Sequence, residues 1–291
     1  MQSPYGFFRL PHLVAAGSRQ MAADRSLLEW VSRGSSRLVF RTYSWARPTL
    51  SLGRTEPFPE GWDEKAIARE GIDVVRRPTG GNAVLHVEEV TFALAASIPG
   101  PWKLTPRGFA NAAAESLSRA LAACGVADSR VEGPGRAASG PGSALCFARS
   151  APGEVLAGGF KVAGIASRFG RRGALCHASV PLTARSRSIA RFRPGAHGES
   201  EALERNARSL GELLGIEGGA KAGSGAAGTL EAAIAESLAL EVEERFGARL
   251  VDAGFDALGI EAPAIPPSGD PGVAIQAVAG NEASPLGAAR D

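Results

Sequence analysis

Apolar and polar residues follow two different rhythms along this chain. From Gln20 to Trp30, Ala23, Leu27 and Leu28, with Val31 just beyond, recur at helical spacing beside Asp24, Arg25 and Glu29, which predicts an amphipathic helix. Pro106–Cys124 repeats the rhythm through Phe109, Ala113, Leu117 and Leu121. Ser200–Leu214, with Leu203, Ala207, Leu210 and Leu214, reads as a third helix and Thr229–Phe246 as a fourth. The other segments have the shorter period of strands. They are Arg37–Thr42, Thr49–Leu52 ending at Gly53, Asp73–Arg77, Ala83–His86, Thr91–Ser97, Lys161–Ala166 and Ala174–Leu182. Strand runs interrupted by a few long helices predict an α+β domain, a mixed and mostly antiparallel sheet with helices packed on it.

Two stretches have little to bury. Glu132–Ser143 is rich in Gly, Pro and Ser, which puts Cys146 just after a breaker-rich loop. Beyond Ile260 the chain becomes rich in Ala, Pro and Gly, so one domain is expected over residues 1–259 and a poorly ordered tail over 260–291.

With 291 residues, 44% hydrophobic and 21% charged, the composition is that of an ordinary globular protein. A formal net charge of +2 gives no footprint for nucleic acid. Arg9, Pro11 and His12 interrupt the apolar N-terminus before a signal-peptide core builds up. No apolar run approaches the roughly 18 residues of a membrane span. Cys124, Cys146 and Cys176 form no even-numbered disulfide framework. A soluble, cytoplasmic protein with no membrane or nucleic-acid partner is the expectation. His12, His86, His177 and His197 are scattered without ligand spacing, so no metal site is expected.

The densest chemistry lies in Arg76-Arg77-Pro78-Thr79-Gly80-Gly81-Asn82-Ala83-Val84-Leu85-His86. Adjacent glycines let backbone approach a ligand and aim successive N–H groups at it, Thr79 adds a hydroxyl, and the arginines add charge. The plainer reading is a tight hairpin with solvated arginines. A second stretch, Gly159-Phe160-Lys161-Val162-Ala163-Gly164-Ile165-Ala166, places a lysine in a strand.

These two stretches resemble the lipoate–protein ligase A superfamily, which includes biotin ligases and the lipoyl and octanoyl transferases. The first matches the family's R-R-x-[ST]-G-G-x-A-V-x-H run, and the second its G-x-K-[IV]-x-G-x-A segment. Tyr43, Trp45, Pro48, Ser51-Leu52-Gly53-Arg54 and the region Asn206–Gly215 add smaller agreements, so the likeness extends from about Met21 to Gly215. It implies a sheet enclosing an acyl pocket, with the Gly-Gly turn facing Lys161. Cys146, in Cys146-Phe147-Ala148-Arg149-Ser150 with Glu154 following, is similar to the C-F-x-x-x-x-x-x-E segment of the carrier-protein-dependent octanoyltransferases, in which the cysteine carries the acyl group. A ligase must activate a free carboxylate with ATP; a transferase starts from a thioester and needs a nucleophile but no cofactor.

The resemblance therefore implies transfer of octanoyl from acyl carrier protein to a lysine of a lipoyl domain or the glycine-cleavage H protein. Cys146 is the expected nucleophile and Lys161 the ammonium that stabilises its thiolate. A neutral Lys161 would then accept the proton of the incoming amine. Arg76, Arg77, Thr79, Gly80, Gly81, Asn82, His86, Gly164 and His177 are expected to shape the substrate site. For His86 and His177 a tethering hydrogen bond is the alternative, and for Arg76 and Arg77 a phosphate contact is weighed against solvation. Cys176 beside His177 suggests a dyad, yet neighbours in a strand point to opposite faces. An ATP-dependent lipoate ligase and a non-catalytic binder of an acyl carrier or lipoyl domain are the alternative functions. Departures from the family pattern at Glu56, Asn82, Val87, Ile165 and Ser167 bear on acyl selectivity and leave room for another acceptor or a lost activity.

Overall fold

The segments of period two assemble into two sheets of unequal size. A computed structural model of the chain describes residues 6–133, 145–195, 198–216 and 226–260. Its strands are β1 (Gly6–Ala15), β2 (Arg37–Trp45), β3 (Thr49–Leu52), β4 (Asp73–Arg76), β5 (Val84–His86), β6 (Glu89–Ser97), β7 (Arg130–Val131), β8 (Val155–Ala157), β9 (Phe160–Phe169), β10 (Gly173–Pro181) and β11 (Val251–Asp252). The larger sheet has eight strands in the order β11-β1-β2-β6-β10-β9-β8-β7. It is antiparallel except where β1 runs parallel to β2 and β11. The smaller sheet has the order β4-β3-β5, with β4 parallel and β5 antiparallel to the central strand.

Helices α1 (Gly17–Ser32), α2 (Glu64–Arg69), α3 (Pro106–Ala123), α4 (Glu199–Asn206), α5 (Leu210–Leu214) and α6 (Ala226–Phe246) surround these sheets. On one face of the large sheet, Phe40, Phe92, Leu94, Cys176 and Val180 pack with Phe109, Ala113, Leu117 and Leu121 of α3 and with Leu238 and Val242 of α6. Thr105 starts α3 by accepting the N–H of Gly108 at 3.0 Å, and Pro106 follows at the first helical position, where its missing N–H does no harm. The opposite face, one residue out of phase, carries Val39, Tyr43, Ala93, Ala95 and Leu175 beneath α1. A third cluster joins the small sheet to the short 3-10 turn Cys146–Ala148 and to α4 through Leu85, Phe147 and Leu203.

Three departures from the sequence expectation have local causes. Ser200–Leu214 is two helices rather than one. Ala207 is extended (φ −122°, ψ 148°) and bridges to Lys161, Arg208 N–H donates to the Lys161 carbonyl at 3.1 Å, and Ser209 with Glu212 forms a capping box that starts the second helix. Asp73–Arg76 and Val84–His86 do not form a hairpin, because both pair with β3, which lies between them. Gly6–Ala15 is a strand although Pro11 interrupts it, and the register shifts between Leu10 and Leu13 at that point.

Leu258 and Ile260 are buried against the α1 cluster, so packed structure reaches the first residue of the expected tail. The rest of that tail, 261–291, and residues 134–144 of the Gly-rich loop lie outside the described residues, as does His197. Among the described residues no helix is long and apolar enough to cross a membrane.

Candidate active site

A cavity of about 470 Å³ lies between the two sheets, within the size range of small-molecule sites. Its wall on the large sheet passes from Gly164–Ala166 of β9 to His177–Ser179 of β10, Thr91 of β6, and Tyr43 and Trp45 of β2. Four neighbouring strands at about 4.8 Å spacing make a run of roughly 14 Å. Met21, Val84, Ile165, Ala166 and Ala178 give this passage an apolar lining, while Cys146, Arg149, Ser150 and Glu154 line it at the β9 end.

At that end Lys161 Nζ stands 3.5 Å from Cys146 Sγ. The lysine is only 1% exposed, yet its ammonium also donates to Glu154 Oε1 at 2.5 Å, Cys146 O at 2.6 Å and Arg149 O at 3.2 Å. Burial disfavours the charge, but the Cys146 sulfur and the Glu154 carboxylate outweigh it and hold the Lys161 pKa above its ordinary value. In the resting enzyme Lys161 is therefore a protonated, hydrogen-bonded ammonium, the form expected to stabilise the Cys146 thiolate. Burial raises the Glu154 pKa despite Lys161 and the Ala151 N–H, with Glu132 adding repulsion.

Backbone contacts hold the pair in register. Cys146 N–H donates to Ala83 O at 3.1 Å, Asn206 Nδ2 to Ala148 O at 2.8 Å, and the break after α4 grips the Lys161 backbone. Gly164 makes room, since a Cβ there would lie 3.1 Å from Cys146 Sγ and 3.3 Å from the Phe147 ring.

The arginines of the Gly-Gly motif turn inward. Arg77 is buried and donates to Gly80 O, Asn82 O, Ser51 O and Ser51 Oγ, which uses every nitrogen of its guanidinium. Arg76 clasps the carbonyls of Gly53 and Glu56. Neither the phosphate contact nor the solvated reading describes them. They shape the loop instead, because the carbonyls of a tight turn need donors that water cannot deliver to a buried site. Gly80, Gly81 and Asn82 are exposed at the mouth, with Gly81 at φ +87° and pressed onto Gly53. A Cβ on Gly53 would fall 1.9 Å from Gly81 O.

Thr79 does not offer its hydroxyl to the cavity. It is fully buried and pairs with His177 Nε2 at 2.7 Å, while His177 Nδ1 meets Asp24 Oδ2 at 3.1 Å. A carboxylate only accepts, so Nδ1 carries the proton and Nε2 accepts from Thr79. Burial lowers the His177 pKa and keeps the ring neutral, against the pull of Asp24. Asp24 also receives Arg41 at 2.6 Å and Tyr43 at 3.2 Å. His86 is likewise a tether, with Nδ1 on Glu89 and Nε2 on Ser51, both at 2.7 Å, and its ring stacked on Trp45 at 4.0 Å. Thr91 and Ser179 complete the shell of Glu89 at 2.5 Å each.

Cys176 belongs to the opposite, α3-covered core, and burial pushes its pKa up to about 11. It forms no dyad with His177. Cys124 is partly buried at the end of α3, and burial raises its pKa too. Asp24 and Glu89, the buried anchors of both histidines, escaped the sequence reading. A signal existed for Asp24, which lies on the same helical face as Gln20, Met21, Leu27 and Val31, all buried.

The family described as the lipoyl protein ligase A/B catalytic domain matches residues 17–215. Octanoyltransferase LipM of Exiguobacterium sp. is 32% identical over 173 residues, 57% of this chain and 62% of that protein. Octanoyltransferase LipM of Kyrpidia tusciae is 37% identical over 169 residues, 56% of this chain and 61% of that protein. The chain thus matches about three-fifths of the length of these curated relatives. Among solved structures, a lipoate-protein ligase A bound with ATP superposes with a TM-score of 0.64 at 15% identity over 95% of each chain. A bi-partite lipoate protein ligase from Thermoplasma acidophilum gives 0.62 at 15% identity, over 95% of this chain and 92% of that one. At such identities the likeness speaks for the fold alone.

Proposed function

The chain belongs to the lipoyl protein ligase A/B catalytic-domain family, and from that premise we propose that it is an octanoyltransferase. It takes the acyl group from a carrier-protein thioester, holds it on Cys146, and delivers it to a lysine of a lipoyl-type domain. The observation that carries this reading is the contact of 3.5 Å between Lys161 Nζ and Cys146 Sγ at one end of a largely apolar cavity. The identity to octanoyltransferases supports the acyl chain and the transfer chemistry.

In the first half-reaction the Cys146 thiolate attacks the thioester carbonyl, a new C–S bond forms, and the carrier's sulfur leaves and takes up a proton. One thioester replaces another, so the step is nearly balanced and needs no nucleotide. The Lys161 ammonium supplies the counter-charge for the sulfur as it attacks and again as it leaves. In the second half-reaction the acceptor's neutral amine attacks the acyl-enzyme, a C–N bond forms, and the C–S bond breaks. The proton shed by the amine ends on the departing Cys146 sulfur, which restores the thiol. The exposed Gly80–Asn82 turn beside the reacting carbonyl is the source we assign for N–H groups facing the oxyanion.

Intact-mass measurement after incubation with octanoyl-carrier protein and no ATP tests this. One octanoyl adduct is expected on the wild-type protein and none on Cys146→Ala. Transfer that demands ATP and a free acid, with Cys146→Ala still active, establishes a ligase instead. Partner binding without any adduct or transfer establishes a non-catalytic binder.

A further inference from the structure

Between Glu154 and Glu199 the chain contains no aspartate or glutamate. Most basic side chains of that stretch find carboxylates elsewhere in the fold. Lys161 pairs with Glu154, Arg185 with Glu88, Arg187 with Glu204 and Glu212, Arg191 with Glu70, and Arg193 with Glu199. Arg168, Arg171 and Arg172 are the exceptions, with no ion pair among the described residues; all three are exposed, Arg168 near the end of β9 and the other two on the turn to β10. Gly170 N–H donates to Gly173 O at 2.8 Å across that turn, which puts Arg171 and Arg172 at its tip. Phe169, 44% exposed, adds an apolar ring beside them.

Arg168 reaches from β9 to the rim of the cavity, and the tip of the turn lies beyond it, where Ile98 N–H donates to Arg172 O at 2.9 Å. Arg168 Nη1 donates to Pro78 O at 3.2 Å, and on the other side of the same Gly-Gly loop the N–H of exposed Arg54 donates to Thr79 O at 2.9 Å. Arg25 of α1, exposed yet partly desolvated, lies within the field of this group: desolvation lowers its pKa, Asp24 pulls it up, and the charge of Arg168 lowers it again. The Asp24 carboxylate is committed to Arg41, Tyr43 and His177, and exposed Glu29, one helical turn after Arg25, is paired with Arg33. Cations thus collect around the loop while the nearby carboxylates are already engaged, Asp24 as above and Glu56 with the Gly53 N–H at 3.0 Å, and an anionic partner would relieve the remaining repulsion. From Arg168 to the tip is about 10 Å of strand, wider than a single phosphate group and suited to a protein face.

We propose that Arg25, Arg54, Arg168, Arg171 and Arg172 form the docking surface for the acyl-donor protein, and that this donor presents an acidic face to them. The inference rests on the transferase reading above. Docked there, the donor's thioester arm passes the exposed Gly80–Asn82 turn to reach Cys146.

The test compares two donors at the first half-reaction, read as acyl-enzyme by quenched intact mass. One is octanoyl-carrier protein and the other the small, uncharged octanoyl thioester of N-acetylcysteamine. For Arg171→Glu/Arg172→Glu, at the tip and away from the cavity, the ratio of carrier loading to small-thioester loading is expected to fall about tenfold or more. The steep decline of wild-type carrier loading with added salt should also flatten. Arg171→Gln/Arg172→Gln, which removes charge without reversing it, should show a smaller change in the same direction. Equal loss with both donors, or an unchanged ratio and salt slope, overturns the docking surface. So does a rate loss found only when preformed acyl-enzyme is mixed with the acceptor. A wild-type protein loaded by neither donor defeats the transferase reading itself, so the two failures are distinguishable.

Discussion

Of the carboxylates the molecule buries beside basic groups around one cavity, Asp24 and Glu154 are treated differently. Asp24 is fully enclosed and receives Arg41, Tyr43 and His177, so its pKa is lowered although burial alone would raise it. Glu154 receives Lys161 and one backbone N–H, and burial still raises its pKa. The Asp24 cluster is closed and its residues are bonded to one another. The Glu154 cluster is open, because Lys161 also faces the sulfur of Cys146 along the cavity wall. A saturated network fixes shape, and an incompletely balanced one leaves charge available to a reaction.

Removing the open cluster's charge should give the largest effect. Lys161→Met is expected to slow acyl-enzyme formation by roughly 10²–10³-fold in rapid-quench kinetics, as for loss of one electrostatic stabiliser. It also strands Glu154, so Lys161→Met should unfold more readily than the double variant Lys161→Met/Glu154→Gln in denaturant titration. The reverse order would mean that Glu154 is not a buried partner of that lysine.

Breaking the closed cluster should act on stability first. Asp24→Asn leaves the buried Arg41 without its counter-charge and is expected to cost about 3–5 kcal/mol in urea unfolding. The loading rate of the fraction that stays folded should change less than in Lys161→Met. A larger loss of rate than of stability would reverse the roles assigned to the two regions.

The pH dependence is the gentlest probe. The folded pKa of Asp24 is depressed, so its contribution is complete above the unfolded value of about 3.9 and is lost as pH falls through the folded pKa. Glu154 has the opposite sign. Its folded pKa is raised, so its contribution declines as pH rises from about 4.3 through the folded value. Thermal unfolding between acid and neutral pH should therefore steepen at the acid end for wild type relative to Asp24→Asn, while Glu154→Gln removes a slope of the other direction.

The same contrast explains what the sequence made legible. Cys146 and Lys161 sit in compact local motifs, and they are brought together across the fold because β9 and the 3-10 turn share a wall. Short apolar runs make β6 and β10 legible as strands, but not which face meets α3 and which meets α1, because every residue of both is buried. Asp24 was not singled out, since a carboxylate between apolar residues in a helix reads first as its solvent side. Its meaning depends on Arg41 and His177, far along the chain. The break at Ala207 was equally hidden, because helical periodicity continues through it and only the pairing with Lys161 interrupts the helix. For Arg76 and Arg77 residue type suggested a ligand, while the carbonyls that they hold belong to backbone whose path no periodicity reports.

The contact of Gly53 with Gly81 has a consequence for how this doorway could change over time. The height of the loop above the cavity depends on an atom that is missing as well as on the bonds from Arg76 and Arg77. Even the smallest side chain at position 53 would act as a wedge beneath the lintel, and because Ala83 holds the Cys146 N–H the push would be felt at the sulfur too. Entry and chemistry therefore share one hinge, which tolerates no side chain at position 53.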